Sequence, residues 1–284
     1  YLAQFHAELT PDRAALDKLV ADKQLAAWTD LFAEMNTWYN NPDLPTVGPW
    51  KAENKLSEEL FIMKRNPYFW GVDPEGNQLP YVDQVNHRLF SSPDVLNLWI
   101  VNGEIDFQWR HLSIGNYTLF KENEAAGQYE LKLWKTDKGE TLTINHDSQD
   151  SRLAKFFQNR DVRIAMNLAM DRDEINELVY DGLMTPRQAS PNSMSPEYHE
   201  GAATAYAYYA PDEANALLDQ AGYAERDAEG FRLWDDGSGE PISFIIEGFR
   251  VEGSPEVDAV LMVCKYLEEV GIKATYKSEE RALY

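Results

Sequence analysis

Residues 157–182 read FQNRDVRIAMNLAMDRDEINELVYDG. Val162, Ala165, Met166 and Ala169 stand at i, i+3, i+4 and i+7, which puts one apolar stripe along a helix. Asp171 precedes Glu174 by three residues, the spacing of an N-cap and its capping-box partner. Gly182 fits a left-handed position just past a helix end. The stretch therefore predicts helix, cap, second helix, stop. Further on, a strand over 242–247, a helix over 255–270 closed by Gly271 and a strand over 272–277 follow in turn. Strand–helix–strand order favours a parallel α/β sheet.

Upstream, residues 11–35 read as helical, with Thr10 as N-cap and Pro11 at the first helical position. Leu16, Leu19 and Val20 give one apolar face, and Trp28, Leu31, Phe32 and Met35 continue a second. The breaker cluster at 40–45, NNPDLP, marks a domain crossing. Strands are expected over 60–64, 82–90, 130–135 and 141–145, and a helix over 92–102 starting at Pro93. Asp235–Gly239 reads as a turn between strands 231–234 and 242–247. From about residue 148 the pattern is mainly helical.

The 284 residues suit one large or two modest domains, and 44% are hydrophobic, enough for real cores. Lys and Arg number 26 against 48 Asp and Glu, a net charge of −22. That balance lacks the basic footprint that nucleic acid or an anionic membrane requires. No apolar run reaches the roughly 18 residues of a membrane span. Cys264, the single cysteine, lies in an apolar-periodic helix and reads as a buried structural thiol. The histidines are scattered, so no zinc site is expected. Neither a G-x-S-x-G frame nor a phosphate-binding glycine loop occurs, and no cofactor is expected. Glu104 and Asp106 have the types needed for a glycosidase pair, but the same spacing suits solvated carboxylates at a loop-to-strand junction.

Six segments follow one another along the chain: VGPWK from Val47, RNPYFW from Arg65, PYVDQV from Pro80, GEID from Gly103, the VR-x-A-x-N-x-A-x-D-R-x-x-I run from Val162, and the PDEA…LLDQAGY helix from Pro211. In this order they resemble the segments of the family 5 extracellular solute-binding proteins, the oligopeptide/dipeptide-type receptors of bacterial ABC importers. The resemblance implies an α/β, periplasmic-binding-protein type II-like architecture of two lobes around a cleft, with an extra small domain. It implies that this chain is an internal fragment. Residues 1–45 would be the tail of the small domain, 46–144 a first-lobe segment, and 145–284 the first part of the second lobe. Thr143–Asn145 would be a hinge crossing.

As a consequence of that resemblance, the protein is expected to be a monomeric, non-enzymatic receptor. It would be periplasmic or a cell-surface lipoprotein, and would deliver solute to the membrane permease of an ABC importer. Oligopeptide is the leading ligand class, oligosaccharide the alternative, and a glycan hydrolase the reading from a different class. In the family's peptide receptors an Asp in a W-x-x-D-[YF] segment holds the ligand ammonium, and that segment is expected beyond residue 284. Gln108, Trp109 and Arg110 follow the GEID turn at an apparent strand end, where open α/β sheets bind ligands. Trp109 would stack on ligand, while Gln108 and Arg110 would hydrogen-bond it. Asn145 and His146, at the apparent hinge, are second candidates. Arg163, Asp171 and Arg172 are read as fixing their helices rather than touching ligand.

Overall fold

The computed structural model describes residues 1–136 and 139–282. They form two compact units, Tyr1–Leu98 and Trp99–Tyr284.

In the first unit, helices α1 (Arg13–Asp22) and α2 (Trp28–Asn36) bury Leu16 and Leu31 with Phe5, flanked by Leu19, Val20, Trp28, Phe32 and Met35. These are the two apolar faces read from the sequence. The helix start differs from expectation. Asp12, not Thr10, is the N-cap, its carboxylate accepting the Ala15 N–H at 2.9 Å. The Thr10 hydroxyl is occupied with the Asp12 backbone, and a carboxylate at a helix N-terminus also gains from the dipole. Pro11 therefore lies outside the helix.

Strands β1 (Trp50–Ala52), β2 (Leu60–Arg65) and β3 (Gln84–Arg88) make an antiparallel sheet in that order, with Trp50 opposite Arg65 and Met63 opposite Val85. Ala52, Phe61 and Met63 are its buried face. Three of the sequence motifs meet at its end. The buried Asn66 donates from its amide to Thr46 O at 3.0 Å and Gly48 O at 2.9 Å. Its backbone N–H bonds Pro49 O, and Arg65 N–H bonds Asp83 O. The VGP turn, RNP segment and PYVD entry thus hold one another by satisfying backbone groups that would otherwise be costly to bury. Helix α3 (Pro93–Val101) begins at the expected proline and runs across the boundary between the units.

The second unit carries α4 (Tyr117–Gly127), α5 (Ser151–Gln158), α6 (Arg160–Leu168), α7 (Arg172–Tyr180), the short α8 (Glu200–Thr204), α9 (Pro211–Gln220), β4 (Ser243–Gly248), α10 (Pro255–Glu269) and β5 (Lys273–Ser278). Strands β4 and β5 are parallel, joined through α10, as the strand–helix–strand reading requires. Val162, Ala165, Met166 and Ala169 are all buried, packed with Phe156, Leu168, Leu218, Tyr223, Ile242, Leu267 and Ile272. Asp171 caps α7 through Glu174 N–H at 2.9 Å, and Gly182 has φ +72°.

Residues 130–135 and 141–145 are not strands. The alternation is present, but the groups are engaged elsewhere: Tyr129 donates its hydroxyl to Phe120 O, Leu131 N–H goes to the Glu124 carboxylate, and Leu142 and Ile144 pack on the main core. Residues 231–234 form only isolated bridges, Arg226 to Arg232 and Leu233 to Pro241. Pro241 has no N–H to extend a ladder.

Candidate functional site

The signature residues are structural. Arg163 donates to Phe157 O and Gln158 O at 2.7 and 2.8 Å, holding the end of α5 against α6. Arg172 donates to Asn167 O and Oδ1 at 2.8 and 2.7 Å, across the α6–α7 junction. Gln188 adds a bond to the same Asn167 Oδ1 at 3.0 Å.

The segment after α3 is a loop, not the strand end expected for residues 104–110. Gly103 sets its start at φ +72°, and a Cβ there would lie 2.4 Å from Gly127 O. Gln108 is half-buried and donates to Arg110 O at 2.5 Å. Trp109 is 61% exposed and Arg110 is exposed. His111 holds a left-handed backbone, φ +61°. Glu104 and Asp106 are exposed on this loop and do not share a strand face. Asn145 and His146 are exposed. Asn145 Oδ1 accepts Asp147 N–H at 3.0 Å, and His146 O accepts from Gln158 Nε2 at 2.9 Å, which pins this segment to the end of α5.

The carboxyl ends of the parallel pair carry a further cluster that no local sequence motif marks. Gly248 and Ser278 face each other there. Just beyond, the Arg250 and Arg281 guanidiniums each stand 5.2 Å from the Phe249 ring centroid. The Arg250 carbonyl is held by Tyr276 OH at 3.0 Å and Ser278 Oγ at 2.7 Å, and Glu256 lies 3.5 Å from its guanidinium. A Cβ on Gly248 would meet Tyr276 OH at 2.9 Å. The result is an aromatic ring contacted by two guanidiniums, on a braced loop, at the strand end where α/β sheets take ligands. The parallel βαβ pattern was the available signal.

A second missed residue is Arg232, 1% exposed. It donates to Tyr223 O, Val270 O, Asn215 O and Oδ1, and Asp219 Oδ1, at 2.5–3.2 Å. It serves the core and not a ligand. Among the described residues, no group of three or more His, Cys, Asp or Glu could hold a metal. Cys264 is buried and burial pushes its thiol pKa up, as befits an inert core group. In the first unit, Trp38, Trp50, Lys51 and Met63 help line an open cavity of about 330 Å³ that contains none of the predicted ligand residues.

Residues 9–284 match the model of the bacterial extracellular solute-binding proteins, family 5, middle region. The chain belongs to this family. A solved oligopeptide-binding protein OppA is 39% identical and superposes with a TM-score of 0.69, over 100% of this chain and 45% of that one. The periplasmic alpha-galactoside-binding protein of Rhizobium meliloti (strain 1021) is 25% identical over 199 residues, 66% of this chain and 28% of the relative. The oligopeptide-binding protein OppA of Lactococcus lactis subsp. lactis is 23% identical over 229 residues, 81% of this chain and 37% of the relative. The chain thus spans well under half of the curated relatives it matches. Family 5 accounts for the fold expected from the motifs: a mixed helix and strand structure like the type II periplasmic binding proteins. These relatives are named as binding proteins, not enzymes. No helix among the described residues is long and apolar enough to cross a membrane.

Proposed function

We propose that this chain is part of a solute-capture receptor of an ABC importer whose ligand is an oligopeptide. The observation that carries the reading is the 39% identity to an oligopeptide-binding protein across the whole chain. Capture works by hinge closure: open and closed states interconvert, and solute favours the closed state because only there does it touch both lobes. In this reading residues 1–45 are the tail of the extra small domain, 46–144 a first-lobe segment and 145–284 the first part of the second lobe. Gln108, Trp109, Arg110, Asn145 and His146 contact solute, and the Phe249–Arg250–Arg281 cluster supplies cationic and aromatic contacts suited to a carboxylate beside an apolar side chain. The receptor acts outside the cytoplasm as a monomer, either periplasmic or as a cell-surface lipoprotein, without catalysis, and hands solute to a membrane permease. A second reading, an oligosaccharide receptor, is favoured by the likeness to an alpha-galactoside-binding protein. Isothermal titration calorimetry of the full-length protein decides between them. Heat from a di- and tripeptide pool and none from a cello- and xylo-oligosaccharide pool is expected; heat from sugars alone would overturn the peptide assignment.

A further inference from the structure

The loop between β2 and β3 exposes three large aromatic side chains. Tyr68, Trp70 and Tyr81 are 88%, 79% and 67% exposed, and Val72 on the same loop is exposed as well. Scattered apolar residues are ordinary on a surface, but several large ones on one segment mark an interaction site. The loop is tightly strapped. Asp73 accepts bonds from Glu75 N–H at 3.0 Å, Asn77 N–H at 2.8 Å, Asn77 Nδ2 at 2.9 Å and Tyr81 OH at 2.6 Å. Gln78 Nε2 donates to both Pro67 O and Phe69 O at 2.8 Å, and Leu79 N–H to Gly71 O at 3.0 Å. The Arg65–Asp83 ion pair at 3.4 Å closes the base. A preorganised segment loses little conformational freedom on binding, and Tyr and Trp are the residues that dominate interface energetics.

Charge narrows the partner. Residues 66–87 contain Asp73, Glu75 and Asp83 and no Lys or Arg, within a chain of net charge −22. An anionic lipid surface repels such a segment. A protein surface with an apolar pocket and a Lys/Arg rim complements it. We infer that the 66–83 loop is a docking surface for such a protein. On the receptor reading, on which this inference rests, the partner is the extracytoplasmic face of the permease.

The test uses the full-length receptor and its permease–ATPase complex in proteoliposomes. Tyr68→Ser with Trp70→Ser should raise the receptor concentration for half-maximal ATPase stimulation by about tenfold or more, the scale of losing a central aromatic anchor. Glu75→Lys, at a residue that enters the strap through its backbone N–H, should raise it in a salt-dependent way. Solute affinity by calorimetry should stay unchanged in both. A Trp70→Cys receptor should react rapidly with a water-soluble maleimide. Unchanged ATPase stimulation overturns the docking surface. A slow maleimide reaction overturns it by showing the loop covered by the receptor's own polypeptide, and a parallel loss of solute affinity does so by placing the loop in the solute site. If the wild-type receptor binds no solute and stimulates nothing, the receptor reading itself fails, and the inference with it.

Discussion

Arg232→Met isolates what the buried guanidinium does. Methionine keeps an unbranched apolar stem and removes the five N–H donors of arginine. Two carbonyls just past the ends of α9 and α10, Tyr223 O and Val270 O, lose their bonds at 2.5 and 2.8 Å. Each acceptor left unpaired costs about 1–3 kcal/mol. Val270 O keeps a longer bond from Arg226 at 3.4 Å, so its share falls at the low end. Losing a cation beside two helix C-termini adds about 0.3–1 kcal/mol per helix. The expected loss is about 3–5 kcal/mol, a large part of the 5–15 kcal/mol that holds a typical domain together. The partner carboxylate behaves differently: Asp219 is 53% exposed, so Asp219→Asn should cost under about 1 kcal/mol. Urea unfolding followed by far-UV circular dichroism measures both. Equal costs for the two variants, or a loss under about 1 kcal/mol for Arg232→Met, would refute the view that the carbonyl cage, rather than the ion pair, is what Arg232 serves.

Asn66→Ala should lower unfolding free energy by about 2 kcal/mol, since Thr46 O and Gly48 O both lose donors, while solute affinity by calorimetry stays put. Gly103→Ala should destabilise by about 2 kcal/mol or more, because the added Cβ meets Gly127 O at 2.4 Å from a backbone at φ +72°, and thermal melts will show it. Trp109→Ala should weaken solute binding by about 1–3 kcal/mol with little change in melting temperature; a large melting shift would place the ring in the core. Asp73 has its pKa lowered to about 2, first by the Tyr81 hydroxyl and then by Asn77. Its contribution to stability is therefore present above the unfolded carboxylate value of about 4 and lost as pH falls toward 2. In Tyr81→Phe the Asp73 carboxyl should titrate at higher pH, read by carbon-detected nuclear magnetic resonance.

The opening stretch was legible because its residues serve one purpose. Val162, Ala165 and Met166 repeat at helix spacing and are buried together, and Asp171 has one obvious partner, the Glu174 N–H. The parallel βαβ unit was legible for the same reason. The misread segments are those where alternation had no strand to pair with, as at Leu131 and Ile144, or where a proline closed the ladder, as at Pro241. The helix start at Asp12 was missed because two capping residues stood two apart and only geometry chooses between them. Arg232 was invisible because a lone arginine in sequence reads as solvated, and its acceptors come from residues 215–223 and from Val270. Phe249, Arg250 and Arg281 come together only when the ends of β4 and β5 are set side by side. The strand end assigned to Trp109 and Arg110 is a loop.

The most direct test of peptide capture is native mass spectrometry of the full-length receptor purified without added solute, followed by denaturation and sequencing of what is released. A mixture of short peptides, bound one per receptor and returned intact, is expected. Release of hexose oligomers alone, or cleavage of an added oligosaccharide by the receptor, would contradict peptide capture.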